Sequence, residues 1–161
     1  MWLIRATLSC TLAIVAMGAC GDDDDDFEPV CVGGECSCRD LDDCVADCDA
    51  SPCNISCESL GTRNGQCGDA CDFTCRDASG CSVDCAAGCT IVCERVSGCQ
   101  GSCGDDCDVT CRDLSSCEMT MGANSTALCD RVGGCNLRCA DGEPATDCGN
   151  GRFVCAPRTC P

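Results

Sequence analysis

The sequence predicts an all-β fold, a disulfide-braced parallel β-solenoid with about 18 residues per coil and about six coils. Three observations lead to this prediction: the cysteine content, a fixed repeat length and a two-residue alternation within each repeat. Of the 161 residues, 27 are cysteine and only 2% are aromatic, so an ordinary apolar core is hard to build. This composition is typical of a disulfide scaffold made in an oxidising compartment.

The repeat begins at Cys38 and has a period of 18 residues, with one inserted residue in the first unit near Pro52. The last unit departs from the pattern after Cys139. A fixed period of this length indicates stacked, equivalent structural units. The units begin at Cys38, Cys57, Cys75, Cys93, Cys111 and Cys129.

Within a unit, two segments have the form Cys-x-apolar-x-Cys, for example "CSVDC" at 81–85 and "CTIVC" at 89–93 in the third unit. Cysteine, apolar residue and cysteine at i, i+2 and i+4 predict a short strand with one buried face. The segments alternate between a short connection (86–88) and a long one (94–98), both rich in turn-forming residues. One coil is therefore a strand, a short turn, a strand and a long turn.

Charges that recur at the repeat length support stacking of the coils in register. The column that follows the first cysteine of each unit alternates in sign, and the next column compensates over its last four members. Like charges directly opposite each other on neighbouring strands are destabilising, so this alternation predicts that residues one period apart are neighbours. The two columns are Arg39, Glu58, Arg76, Glu94, Arg112, Asp130 and Asp40, Ser59, Asp77, Arg95, Asp113, Arg131.

Disulfides are predicted across turns and not along strands. The two cysteines of one strand are roughly 13 Å apart, beyond the ~4.4–6.8 Å that a disulfide spans between Cα atoms. Within the repeat the predicted pairs are Cys38–Cys44, Cys48–Cys53, Cys67–Cys71, Cys75–Cys81, Cys85–Cys89, Cys93–Cys99, Cys103–Cys107, Cys111–Cys117 and Cys129–Cys135. Outside it the pairs are Cys31–Cys36, Cys139–Cys148 and Cys155–Cys160, which leaves Cys57, opposite Arg63, as the unpaired candidate. Spacing alone does not fix connectivity.

The first 19 residues are predicted to be a signal peptide, because one arginine is followed by a short apolar stretch and then by small residues. "MGAC" at 17–20 resembles the lipobox of bacterial lipoproteins, which implies cleavage before Cys20 and lipid attachment to its sulfur. Residues 20–30 are then an acidic tether, residues 31–147 the solenoid and residues 148–161 a C-terminal cap. An ordinary secretory signal is the alternative.

The "MGAC" segment and the Cys-x3-Cys/Cys-x5-Cys array together cover residues 17–139. This combination resembles the uncharacterised cysteine-rich repeat lipoproteins of Gram-negative bacteria. The resemblance implies export and anchoring to the membrane through lipid on Cys20, at the outer membrane or cell surface. It implies no activity.

Composition excludes several classes of function. A formal charge of −17 with no lysine and ten arginines argues against nucleic acid as a partner. The chain has no histidine, no nucleophile elbow and no phosphate-binding loop, so neither an enzyme site nor a cofactor is predicted.

Three functions stay open at this point. The first is a lipid-anchored, non-catalytic structural or interaction protein of the cell envelope, whose partner the sequence does not identify. The second is a protein that sequesters metal through thiolates or carboxylates, although no residue is assigned as a ligand. The third is a ligand- or ice-binding face formed by the outward pairs Asn54/Ser56, Asp72/Thr74, Thr90/Val92, Asp108/Thr110 and Thr126/Leu128.

Overall fold

The structure, a computed structural model, describes residues 30–32, 34–39, 43–48, 52–58 and 61–161. These residues form thirteen strands and no helix, and therefore no helix that is long and apolar enough to span a membrane. The strands are β1 (Val30–Val32), β2 (Glu35–Arg39), β3 (Asp43–Cys48), β4 (Cys53–Glu58), β5 (Thr62–Cys67), β6 (Cys71–Arg76), β7 (Gly80–Cys85), β8 (Thr90–Glu94), β9 (Gly98–Cys103), β10 (Asp108–Met121), β11 (Thr126–Cys139), β12 (Thr146–Gly149) and β13 (Arg152–Val154).

The strands form a parallel β-solenoid with two faces. One face, the first sheet, consists of β2, β4, β6, β8 and residues 108–112 and 126–130. The opposite face, the second sheet, consists of β3, β5, β7, β9 and residues 116–121 and 134–139. The long strands β10 and β11 run through both sheets and join them at the long-turn edge. The predicted fold class is confirmed.

Register follows the predicted period. In the first sheet Cys75 pairs with Cys93, and in the second sheet Cys81 pairs with Cys99, in both cases a step of 18 residues. The inserted residue of the first unit is absorbed in the connection around Pro52, because Cys38 pairs with Cys57. The repeat unit defined from the sequence therefore corresponds to one coil of the structure.

The interior between the sheets is narrow and holds cysteine and apolar side chains in alternating positions. In β6, Cys71, Phe73 and Cys75 are completely buried, whereas Asp72 is exposed and Thr74 is half-buried. Ile55, Ile91 and Val109 occupy the position of Phe73 on other rungs, and all three are buried. At the long turns Ala78, Val96 and Leu114, which are one period apart, are also buried.

Each repeat turn between residues 68 and 131 contains one residue in the left-handed backbone region, and these residues recur at the repeat length. In the short turns they are Ala70, Gly88, Asp106 and Asn124, with φ between 54° and 70°. In the long turns they are Asp77, Arg95, Asp113 and Arg131, with φ between 54° and 56°. This conformation is uncommon for residues other than glycine, although Asn and Asp adopt it more often. Its recurrence every 18 residues shows that successive coils have the same turn geometry.

The charge columns form ion pairs between neighbouring coils. Arg95 Nε lies 2.7 Å from Asp77 Oδ1, and Arg131 Nε lies 2.5 Å from Asp113 Oδ1. In the adjoining column Arg76 pairs with Glu94 at 3.1 Å. The predicted contact between residues one period apart is thus confirmed for these pairs. Hydrogen bonds from Arg95 and Arg131 lower the pKa of the carboxyl groups of Asp77 and Asp113, respectively.

Antiparallel strands cover parts of both ends of the solenoid. At the N-terminal end β1 pairs with β2, and at the C-terminal end β13 pairs with residues 126–128 of β11. β12 and β13 form a hairpin. The C-terminal segment therefore folds back over the last rung of the first sheet.

Candidate functional site

Sulfur atoms occupy two columns, one at the long turns and one at the short turns. At the long turns every fully described pair is a disulfide, with Cα atoms 6.2–6.6 Å apart. The predicted pairs confirmed there are Cys75–Cys81, Cys93–Cys99, Cys111–Cys117 and Cys129–Cys135. The coils are closed here because the bend brings the ends of two strands to the distance that a disulfide spans.

The short-turn column differs from the long-turn column. Cys67–Cys71 is a disulfide across one short turn, with its Cα atoms 5.8 Å apart, as predicted. The next two short turns carry free thiols, Cys85 with Cys89 and Cys103 with Cys107. The prediction of disulfides Cys85–Cys89 and Cys103–Cys107 is therefore wrong for this structure.

The orientation of the thiols explains the difference. The sulfur of Cys89 donates to the carbonyl oxygen of Gly68 at 3.4 Å and to that of Ala86 at 3.5 Å. The sulfur of Cys107 likewise donates to Gly104 O at 3.2 Å and to Ala86 O at 3.6 Å. These thiols are turned toward the backbone of the short turns, and spacing in the sequence does not specify that rotamer.

All four thiols are buried, from 8% exposed at Cys85 to 0% at Cys107. Within each pair the thiols are close enough to hydrogen-bond to each other. Burial raises the pKa of Cys85 and Cys89. The hydrogen bond between Cys103 and Cys107 raises the pKa of Cys103 and lowers that of Cys107, since it stabilises the thiolate of Cys107.

The fifth unit replaces this thiol pair with Met121 and Ser125. Met121 is fully buried and is the register partner of Cys103. The hydroxyl of Ser125 donates to Gly104 O at 3.3 Å and accepts from the backbone N–H of Cys107 at 3.1 Å. Met121 ends β10 and Ser125 directly precedes β11, so the two residues occupy the two sides of one short turn. The sequence did not indicate that the hydroxyl would take over the hydrogen bonding of a thiol.

A second feature missed from the sequence is a side-chain bond between successive short turns. Asp69 Oδ1 accepts from Ala87 N at 3.1 Å, and Asp105 Oδ1 accepts from Ala123 N at 2.7 Å. The alternation of Asp and Ala at 69, 87, 105 and 123 is the signal that marks this column. These bonds hold the short turns in the same stacked geometry as the strands.

The C-terminal cap also has a pairing that the sequence did not give. The structure contains Cys139–Cys155 and Cys148–Cys160 in place of the predicted Cys139–Cys148 and Cys155–Cys160. Cys155 directly follows β13, which lies antiparallel against residues 126–128 at the start of β11, and its backbone N–H donates to Ser125 O. Because β11 runs through both sheets, its last residue, Cys139, returns to the same short-turn edge, where its Cα atom lies 5.6 Å from that of Cys155. The prediction paired each cysteine with the next one along the sequence. In the structure the reversal of the chain in the cap determines the partners instead.

Other predicted residues are only partly described. Cys20 lies outside the described residues, as do the side chains of Cys31, Cys38, Cys44 and Cys48. Cys36 and Cys53 are both disulfide-bonded. Cys57 is completely buried in β4, and the prediction that it has no disulfide partner stays a prediction.

The outward residues of the first sheet do not form a uniform face. Thr126 donates a hydrogen bond to Asp108, and the cap places Arg158 Nη1 3.9 Å from the same carboxylate. A cavity of about 440 Å³ opens between this face and the cap, lined in part by Thr110, Leu128 and Arg152. Toward the N-terminal end, Asp72 and Thr90 remain exposed.

Fold and sulfur positions define the class: an all-β, cysteine-rich repeat protein built as a disulfide-braced β-solenoid. No protein family, curated protein or solved structure matches the chain in comparisons with each. Conclusions about function therefore depend on the geometry of this chain alone.

Proposed function

We propose that the chain is a non-catalytic structural or interaction protein of the bacterial cell envelope, anchored through lipid on Cys20. In this proposal it is a rigid, acidic rod held away from the membrane by residues 20–30. The observation that carries the proposal is the stack of four disulfides at consecutive long turns, Cys75–Cys81 to Cys129–Cys135. The disulfide content is consistent with an extracellular or exported protein.

The rigidity of this rod has two sources. Disulfides close the coils individually, and ion pairs such as Arg95–Asp77 connect one coil with the next. Solenoids commonly bind partners along an extended face, and here the outward positions of both sheets are mainly polar or acidic. These features support a display or spacer role, with a partner that recognises polar, negatively charged surface.

The anchor is tested by expressing the full chain in a Gram-negative host with labelled palmitate, beside the variant Cys20→Ala. We expect the unaltered chain to carry label and to fractionate with the membrane, and the variant to carry none. An unlabelled chain that is released in both forms would support the secreted alternative. A chain retained in the cytoplasm with all its cysteines reduced would contradict the proposal entirely.

Metal sequestration is the second candidate, and one observation favours it: Cys85, Cys89, Cys103 and Cys107 are buried thiols on adjacent coils. A ligand- or ice-binding face is the third. Asp108, which belongs to that face, already contacts Thr126 and Arg158. Because part of the face is thereby occupied by contacts within the chain, we favour metal sequestration over a ligand- or ice-binding face.

A further inference from the structure

We propose that the two thiol pairs of the short-turn column, Cys85 with Cys89 and Cys103 with Cys107, each bind one Cu(I) ion. The proposal rests on the second candidate function, metal sequestration, for which it names the ion and the ligands, and it does not depend on the lipid anchor. It starts from the contrast between neighbouring turns. The same Cys-x3-Cys spacing gives a disulfide at Cys67–Cys71 and thiol pairs on the two coils that follow.

Ligand chemistry selects the ion. The four groups are thiols, with no histidine anywhere in the chain. Soft thiolate and thioether ligands favour Cu(I), whereas carboxylate and carbonyl oxygens favour harder ions. Met121, a thioether, is the register partner of Cys103 and is completely buried, so a further soft donor borders the second pair.

The arrangement of the sulfurs favours two ligands per ion. Within a pair the thiols are in hydrogen-bonding reach of each other. Between pairs, no three of these four sulfur atoms lie within 4.8 Å of one another in this part of the described structure. Cu(I) accepts two thiolates, while Zn²⁺ in structural sites takes four ligands in a tetrahedron. One ion per pair therefore needs less rearrangement than one ion shared by both.

Burial fits a site that retains its ion. The sulfurs are at most 8% exposed, and the surrounding short turns contribute small residues such as Ala86 and Gly104. Access of oxidants and of competing thiols to a sulfur limits the rate of disulfide exchange, so burial slows oxidation of these pairs. Binding would replace the thiol protons, which pass to solvent, and would involve no change in the oxidation state of sulfur or copper.

The chain itself offers matched variants. Cys103→Met with Cys107→Ser copies the turn at Met121 and Ser125, where the hydroxyl keeps the hydrogen bond to a turn carbonyl. Met121→Cys with Ser125→Cys does the reverse and adds a third pair. Because each variant reproduces a turn that the fold already contains, both are expected to fold, which a β-sheet circular dichroism spectrum checks.

The experiment titrates the full chain, isolated from the cell envelope without reductant, with Cu(I) under anaerobic conditions in the presence of bicinchoninate as competitor. Native mass spectrometry counts the bound ions, and Zn²⁺ is titrated separately. We expect two Cu(I) for the unaltered chain, one for the Cys103→Met/Cys107→Ser variant, three for the Met121→Cys/Ser125→Cys variant, and no zinc retained.

Three outcomes would overturn the assignment. The first is isolation of both pairs as disulfides, each of which lowers the mass by that of the two hydrogen atoms lost and leaves no thiolate to bind metal. Copper stoichiometry that is the same in all three proteins would place binding elsewhere. One Zn²⁺ held by all four thiols would indicate a shared tetrahedral site. None of these results bears on the labelling of Cys20, so failure here and failure of the anchor are distinguishable.

Discussion

Gly65 in β5 lies directly against the ring of Phe73 in β6. A Cβ atom at Gly65 would be 2.8 Å from Cδ2 of Phe73 and closer still to Cε2. Among the described residues Phe73 is the largest of the fully buried side chains, and Ile55, Ile91 and Val109 occupy its position on other rungs. The absence of a side chain at Gly65 therefore makes the space that the ring needs.

Replacing Gly65 with alanine is expected to lower the free energy of unfolding by about 1–3 kcal/mol, the usual cost of overpacking a core. The variant Gly80→Ala is the control, since a Cβ there has no atom nearer than 3.9 Å. Denaturant unfolding of both variants measures the difference. Adding Phe73→Leu to Gly65→Ala should cost less than the sum of the two single changes. Additive losses would show that the ring and the glycine are independent.

Removing one long-turn disulfide with Cys93→Ala and Cys99→Ala should destabilise the fold by about 2 kcal/mol, from the chain entropy regained by the unfolded state. The measurement is the unfolding free energy without reductant. Full reduction of both proteins is the control, because the difference between them should then shrink. If the difference in unfolding free energy between the two proteins were the same after reduction, the destabilisation would come from packing of the cysteine side chains and not from the disulfide bond.

Acid should weaken the contact between Arg95 and Asp77. Arg95 Nε and Nη2 donate to the two carboxylate oxygens of Asp77 at 2.7 and 2.8 Å, which lowers the pKa of Asp77 below its ordinary value of 3.8. Stability from this pair is therefore present above pH 3.8 and is lost as the pH falls through the lower pKa of the folded state.

We expect Asp77→Asn to flatten the pH dependence of the unfolding free energy below pH 3.8. The effect should be small and should decrease at high salt, because both side chains are exposed. Stability measured against pH at two salt concentrations tests this. If the unfolding free energy of the variant fell with acid as steeply as that of the unaltered chain, other carboxylates would be responsible for the acid sensitivity.

Asp105→Ala is expected to loosen the short turn above it, since Asp105 Oδ1 accepts from the backbone N–H of Ala123. The loss of one hydrogen bond should cost up to about 1 kcal/mol. Hydrogen exchange at the Ala123 amide should accelerate, while exchange within β10 should not. Asp106→Asn is the control, because asparagine tolerates the left-handed conformation that Asp106 adopts. Equal acceleration in both variants would contradict a specific role for Asp105.

Much of the solenoid could be predicted because the period constrains every residue at once. The opposite charges of Asp77 and Arg95 identified neighbours in space, and the bend geometry identified Cys93–Cys99 as a disulfide. Two properties lay beyond the sequence. The rotamer of Cys107 depends on which carbonyl group its thiol meets, and the pairing of Cys139 depends on a chain reversal outside the repeat.

The antiparallel strands β1 and β13 have a consequence for self-association. Both lie on the first sheet, β1 against its first rung and β13 against residues 126–128 of its last. An uncovered parallel edge is a template on which another copy of the same chain can polymerise. Because a reversed strand pairs with residues 35–37 at one end and with residues 126–128 at the other, a parallel coil of a second copy cannot pair in register with those residues, which disfavours head-to-tail growth along that sheet.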